Sequence, residues 1–367
     1  MTDRAFAVIT GGGTAGHVLP AIALAEALVD HGHTIDELYY LGAQRGVESQ
    51  LIPPTGIRST LLAVSGVQRR WAWSNVAFVP RLIRAIIATE RRFAALRPRV
   101  VISVGGYASL PAVIVARRRR IPVIVVSYDR TPGRASRLAA RWAAACAVAF
   151  EDTALPRARL TGAPLRRAIL GVDRSRDRTG ARRRLGVPDG RTLVVVVGGS
   201  LGSAVLNRAV EHIVAQHRSD RGLAIVHVAG ARDSVDLAEQ ILAPEGIWYR
   251  REVFVDAVAD LYAAADLLIG RGGASTVHEV AATGTPAILV PWSGAAEDHQ
   301  RANVRWLSDR GGAVLIDDGE PSAVVAAVDE LLGDVDRRSA LGQVAWDIGT
   351  VNRSTEMAAL IDAVALA

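Results

Sequence analysis

Side chains whose types and spacing could do chemistry gather in two places. In the first, an apolar run over residues 6–10 enters Gly11-Gly12-Gly13-Thr14-Ala15-Gly16-His17, and a helical pattern follows over 18–30, with Pro20 in its first turn where a missing N–H costs nothing. His17 at the mouth of that helix is either a histidine bonded to the backbone or a general base, because imidazole takes up a proton near neutral pH. In the second, Gly270, Gly272 and Gly273 follow another apolar run and open a helix over 275–282. Backbone N–H groups at that positive helix end suit an anion, most often a phosphate. Glu279 comes about one turn after Ser275 and Thr276, where a carboxylate can accept both hydroxyls of a ribose. Asp298, His299 and Gln300 then follow a Trp-Ser-Gly-Ala turn and offer an acceptor, a switchable group and a two-way amide to a sugar hanging from the phosphate. Together these read as a nucleotide-sugar pocket; the alternative is an ordinary alanine-rich αβ unit with a solvated acidic loop.

The elements that must position these groups are short apolar strands, expected over 6–10, 38–41, 100–104 and 123–126 in the first half. In the second half they are expected over 193–197, 224–228, 248–254, 267–270, 287–290 and 313–316. Many run into glycine or polar loops: Gly105-Gly106-Tyr107-Ala108-Ser109, Ser127-Tyr128-Asp129, and Gly198-Gly199-Ser200-Leu201-Gly202-Ser203, a further anion cradle. The first loop lacks the spacing of the dinucleotide fingerprint and the Gly-Lys-Ser/Thr of a P-loop. Residues 160–166 have the composition of a linker, 173–184 form a polar, arginine-rich stretch, and helices from Pro321 close the chain. The repetition predicts an α/β protein of two Rossmann-like domains, their parallel sheets facing across a cleft.

Composition narrows the classes. No apolar run in the 367 residues approaches the roughly 20 that a membrane span needs. No export signal is expected, since the N-terminal residues lead straight into a strand. The single cysteine, Cys146, reads as a small core residue in a reduced compartment. Every basic residue is arginine; residues 1–160 carry 21 against 10 acids, net +11, and the remainder 22 against 27, net −5. The basic half calls for an anionic partner: a membrane surface, nucleic acid or a pyrophosphate substrate. Within it, Trp71, Trp73, Phe78, Leu82, Ile83, Ile86 and Ile87 interleave with Arg81, Arg84 and other arginines. That is the composition of a membrane-surface element, or of an amphipathic core helix after Pro80. No nucleic-acid recognition motif accompanies the charge, so no nucleic acid is expected.

In this order and at these intervals, GGGTAGH with Pro20, GGYAS, TGAPLRR, GGSLGS with Asn207, FVDAVADLYAAADL, RGGASTVHEVAATGTPAILVP and EDHQRAN resemble the MurG-type transferases of bacterial cell-wall synthesis. The resemblance covers nearly the whole chain. It implies a GT-B fold and inverting transfer of N-acetylglucosamine from UDP-GlcNAc to the C4 hydroxyl of the muramyl sugar on undecaprenyl pyrophosphate. It implies residues 1–162 as the acceptor- and membrane-facing domain, 163–342 as the UDP-sugar domain, and 343–367 as a helix returning to the first. Thr14, Ala15, Gly16 and His17 would lie against the donor diphosphate and acceptor hydroxyl, with His17 as base; Gly105, Gly106, Tyr107 and Ser109 would serve the acceptor. Asp129, Arg166 and Ser200 would stand on the donor side, the Val255 backbone would read uracil, Ala274, Ser275, Thr276 and Glu279 would hold phosphate and ribose, and His299 and Gln300 the sugar. No metal or cofactor is implied, and the expected location is peripheral, on the anionic cytoplasmic face of the cell membrane.

The chain departs from the family pattern at three places. Where the family shows His-Glu-x-Asn after the fourth strand expected above, this chain has Val126, Ser127, Tyr128 and Asp129. Leu201 replaces a glutamine in the glycine loop, and Trp292-Ser293-Gly294 alters the turn before the sugar-reading residues. These departures leave open drift within a true family enzyme or a related enzyme with a different acceptor and another UDP-sugar; a UDP-sugar epimerase or hydrolase on the same fold is a separate alternative.

Overall fold

The computed structural model describes residues 4–44, 46–64, 78–199, 201–231, 240–242 and 245–367. The chain divides into two compact units, Met1–Arg167 with Val351–Ala367, and Ala168–Thr350.

In the first unit, β1 (Ala7–Thr10), α1 (Ala15–Asp30), β2 (Leu38–Ala43), α2 (Glu48–Leu51), β3 (Arg58–Leu62), α3 (Phe78–Leu96), β4 (Val100–Ser103) and α4 (Leu110–Arg119) follow one another. Then come β5 (Val123–Ser127), α5 (Arg134–Ala140), β6 (Ala145–Val148) and β7 (Ala158–Leu160). The strands pair in the order β3-β2-β1-β4-β5-β6-β7, every neighbouring pair parallel. β1, β4 and β5 are buried along their whole length, as a parallel sheet covered on both faces requires. The strand order reverses at β1, between β2 and β4, and an open sheet gathers its ligand loops beyond the carboxyl ends at such a switch point. Cys146 lies in β6, a strand its alanine-rich sequence did not announce; burial pushes its thiol up to about 11, as befits a core residue.

Residues 161–166 dock on the first unit instead of hanging free. The Ala163 N–H donates to Asn352 Oδ1 at 2.9 Å, and at Gly162 (φ 77°) a Cβ would fall 2.6 Å from the Val351 carbonyl oxygen. The short α6 (Arg167–Leu170) spans the passage between units.

The second unit comprises α7 (Arg174–Arg184), β8 (Thr192–Val197), α8 (Ala204–Gln216), β9 (Leu223–Val228), β10 (Gln240–Leu242), β11 (Trp248–Glu252), α9 (Val258–Ala264) and β12 (Leu267–Arg271). It continues through α10 (Ala274–Thr283), β13 (Ala287–Val290), α11 (His299–Ser308), β14 (Val314–Leu315), α12 (Pro321–Gly333) and α13 (Val335–Ile348); the final helix α14 (Glu356–Leu366) belongs to the first unit. The order β10-β11-β9-β8-β12-β13-β14 repeats the first unit's reversal, now at β8, between β9 and β12, and only β10 runs antiparallel. The arginine-rich stretch is a helix, because Asp173 caps it and its arginines reach the amino end of β12: Arg178 and Arg182 pair with Asp266, and Arg174 donates to the Tyr262 and Ala265 carbonyls. Helix α13 packs on α10, so it stays with the second unit, and the return to the first begins at Val351 instead of near 343. There α14 meets α1, and His33 Nε2 lies 2.8 Å from Asp362 Oδ1.

Within β9, wholly buried His227 stands between Tyr249 Oη (3.1 Å from Nδ1) and Asn207 Oδ1 (2.9 Å from Nε2). Asn207, part of the glycine-loop motif, is thus a core anchor. Burial, then the charge of Arg251, lowers the His227 pKa to about 4. A depressed histidine contributes stability that is complete above the unfolded value near 6.5 and is lost as pH falls from there toward 4. The second unit should lose up to about 3 kcal/mol over that window. Thermal unfolding of wild type and His227→Gln between pH 7 and 4 checks this: the variant should lack the acid-dependent fall.

Candidate functional site

In the first unit the loops leaving β1 and β4 touch through backbone. At Gly106 (φ 77°) a Cβ would fall 2.6 Å from the Gly12 carbonyl oxygen, so only glycine permits the approach. Glu48, fully buried at the start of α2, accepts from the Gly13 N–H at 2.8 Å and the Ala43 N–H at 3.2 Å; Tyr40 donates to the Gly11 carbonyl at 2.9 Å. Tyr128, after β5, donates to the Gly16 carbonyl. Glu48, Tyr40 and Tyr128 were not legible as site residues in the sequence: each acts through a carbonyl or amide distant along the chain.

Helix α1 begins at Ala15 with Thr14 in the N-cap position, so His17 sits inside the first turn and not ahead of it. Its Nδ1 lies 3.1 Å from Thr14 Oγ1, and its Nε2 is 3.3 Å from where a Gly105 Cβ would stand. Burial lowers its pKa, opposed by the carboxylates of Asp129 and then Glu48. The ring is therefore neutral at pH 7, with one nitrogen able to accept a proton. Ser109 is buried and donates to the Gly106 carbonyl at 2.8 Å, so its hydroxyl serves the loop; Tyr107 beside it is exposed. Arg166 is half-buried and belongs to this unit, not to the second.

In the second unit, α10 starts directly after β12, with Gly273 in the N-cap position and no side-chain cap. The N–H groups of its first turn, at Ala274, Ser275 and Thr276, have no acceptor within the helix. Half-buried Glu279 lies on the next turn, and Tyr262 of α9, itself buried, donates to its Oε2 at 2.7 Å. The switch-point loop after β8 includes Gly199 (φ 86°), an exposed Leu201 and Ser203, which caps α8 by accepting from the Leu206 N–H at 3.3 Å. Half-buried Val255 lies between β11 and α9.

The turn before α11 is held from two sides. Gln300 Oε1 accepts from the Trp292 N–H at 2.9 Å, while Asp318 accepts from both the N–H and hydroxyl of Ser293 at 2.9 Å and pairs with Arg271 at 2.7 Å. Glu297 (φ 56°) and Asp298 (φ 49°) are consecutive left-handed non-glycine residues, a conformation that surrounding bonds must enforce. His299 opens α11 and donates from Nδ1 to the Ala296 carbonyl at 2.7 Å, which leaves Nε2 as the acceptor in the neutral ring. Asp334, the first residue of Asp334-Val335-Asp336, caps α13 by accepting from the Arg337 N–H at 2.8 Å.

A cavity of about 900 Å³ lies elsewhere in this unit, between the start of α7 and α13 at the amino ends of β12 and β13, the edge opposite Gly273. Ser200, Trp71 and Trp73 lie outside the described residues. On α3, Ala85, Phe93 and Leu96 are buried, whereas Ile83, Arg84 and Ile87 are exposed and Arg81 is half-buried.

Residues 7–148 match the glycosyltransferase family 28 N-terminal domain and residues 193–341 the family 28 C-terminal domain. The chain is 38% identical over 364 residues to the UDP-N-acetylglucosamine–N-acetylmuramyl-(pentapeptide) pyrophosphoryl-undecaprenol N-acetylglucosamine transferase of Clavibacter michiganensis, covering 98% of this chain and 96% of that protein. It belongs to glycosyltransferase family 28. A protein of the same name from Desulforudis audaxviator is 36% identical over 93% of this chain and 94% of its own length. The crystal structure of MurG from Acinetobacter baumannii is similar at 25% identity, with a TM-score of 0.73 and coverage of 98% and 99% of the two chains. In family 28 terms this is a MurG-type chain of the GT-B fold, with two parallel-sheet Rossmann-like domains.

An NMR titration of the His17 ring in this family 28 chain should give a pKa below 6.5, as burial dictates. Asp129→Asn removes the larger of the two opposing charges and should lower it further; a value unmoved by that change would show that the carboxylate does not reach the ring.

Proposed function

We propose that this chain transfers N-acetylglucosamine from UDP-GlcNAc to the C4 hydroxyl of the muramyl sugar on undecaprenyl pyrophosphate, with inversion at the anomeric carbon, in peptidoglycan synthesis. The observation that carries this reading is the likeness, over nearly the whole length of both chains, to proteins named for that transfer. The switch-point loops add to it, since each places backbone amides at a strand's carboxyl edge, where a diphosphate is held without desolvated cations.

In the reaction, His17 Nε2 takes the acceptor hydroxyl's proton while Nδ1–H donates to Thr14 Oγ1. The acceptor oxygen forms its bond to C1 from the face opposite UDP, and the electron pair of the breaking C1–O bond passes to the diphosphate. That charge falls to the amides of Ala274, Ser275 and Thr276 and to those of the glycine loop after β8. Glu279, oriented by Tyr262, accepts from the ribose, the Val255 backbone reads uracil, Asp129 stands on the donor side, and His299 and Gln300 hold the sugar. Gly105, Gly106 and Tyr107 border the acceptor. No helix among the described residues is long and apolar enough to cross a membrane. The outward Ile83 and Ile87, with Arg81, Arg84, Trp71 and Trp73, dock the chain peripherally on an anionic cytoplasmic leaflet, each arginine near the surface adding about 1 kcal/mol.

Purified protein with UDP-GlcNAc and a short-chain lipid I analogue should form the disaccharide product; consumption of UDP-GlcNAc without acceptor would point to an epimerase or hydrolase instead. His17→Ala should lower kcat by about 10²–10⁴-fold with UDP affinity little changed. Glu279→Ala should weaken UDP binding about tenfold or more by calorimetry, and Tyr262→Phe less, because Tyr262 only orients the carboxylate. Vesicle flotation should show binding to anionic liposomes that falls with salt and with Ile83→Asp/Ile87→Asp; indifference to both would remove the docking surface.

A further inference from the structure

Because α1 begins at Ala15, Pro20 stands beyond the first turn expected for it, and its missing N–H is not without cost. In an α-helix the N–H of residue 20 bonds the carbonyl of residue 16, and proline has no N–H to give. The Gly16 carbonyl, on the peptide unit that leads directly into His17, is thereby stripped of its helical donor. The structure supplies one from elsewhere: the Tyr128 hydroxyl, 112 residues away at the carboxyl end of β5, donates to that oxygen. Tyr128 is 8% exposed, and burial, then the neighbouring charge of Asp129, pushes its phenol well above the ordinary range, so it remains a donor at any working pH.

We propose that Tyr128 is a positioning residue for His17: it takes the place of the N–H missing at Pro20 and pins the first turn of α1 to β5. The remaining ties hold the loop ahead of the helix and the ring itself. Glu48 holds the Gly13 amide, Tyr40 holds the Gly11 carbonyl, and Thr14 stands against Nδ1 of the ring. The bond from Tyr128 reaches the turn from the β5 side, where Ser127 and Tyr128 stand in place of the Glu-x of the family pattern. A helix whose first turn lacks one internal bond has a looser start, and an imidazole that must meet an acceptor oxygen tolerates little displacement. Tyr128 thus acts through the backbone, touching neither substrate nor ring, and the assignment rests on His17 being the base.

The coupling to Pro20 makes the test specific. Tyr128→Phe removes only the hydroxyl, and Pro20→Ala restores a backbone N–H that can bond Gly16 from within the helix. Full-length wild type, Y128F, P20A and the double variant are compared in the transfer assay and by NMR titration of His17, with H17A assigning the ring signal and its thermal midpoint checking folding. Y128F should lower kcat roughly fivefold to tenfold, with the donor KM changed less than about twofold, and should shift the His17 titration. P20A alone should stay within about twofold of wild type, and the double variant should recover most of the kcat and the wild-type titration. Wild-type kcat and titration in Y128F would overturn the assignment, as would a double variant no better than Y128F. Should H17A retain activity, the base reading falls, while the titration of His17 across the Tyr128 and Pro20 variants still decides whether the pin exists.

Discussion

Two backbones in contact set the geometry of the first unit. The loops leaving β1 and β4 approach so closely at Gly12 and Gly106 that a single methyl group would part them. Parallel neighbours at a switch point send their loops in diverging directions, which opens space above the sheet; the glycine contact narrows that space, and His17 stands against Gly105. Close approach leaves backbone polar groups without water, and each must find a partner. Glu48, Tyr40, Ser109 and Tyr128 are those partners, so buried groups with no part in the chemistry determine where the histidine stands.

The second unit meets the same requirement with different means. Its strand order repeats the first unit's reversal, and beside that switch point α10 opens at the carboxyl edge with Gly273 in the N-cap position. Here the proposed site groups are steadied by partners within the unit: Tyr262 bonds Glu279, Asp318 holds Ser293 and Arg271, and the Ala296 carbonyl accepts from His299. Gln300 illustrates the economy of such a turn, because its oxygen supports the Trp292 amide while the opposite end of the same amide group is a pair of donors.

Charge follows position more than number. The arginines of α7, conspicuous in the sequence, are drawn to Asp266 and to carbonyls at the amino edge of the second sheet, far along β12 from Gly273. They clamp a helix to a sheet. At the carboxyl edge, by contrast, the groups proposed to hold a diphosphate are chiefly backbone amides, neutral and already oriented.

Short continuous apolar runs ending in glycine or polar loops, and helices opening behind them, are local patterns, and from them the α/β class, most of the strands and the two helices that follow glycine loops and carry His17 and Glu279 could be read directly. Strands such as β3, β6 and β7 could not, because they are short, exposed or alanine-rich and exist only through their neighbours' hydrogen bonds. The same limit hid Tyr262 and Tyr128: a hydroxyl that serves a carboxylate 17 residues away or a carbonyl 112 residues away has no spacing to betray it. Local sequence determined which groups can carry the chemistry, since helix ends and glycine turns are settled within a few residues. Folding alone decided what holds those groups in place, since a buried polar atom takes whichever partner the packed chain brings to it.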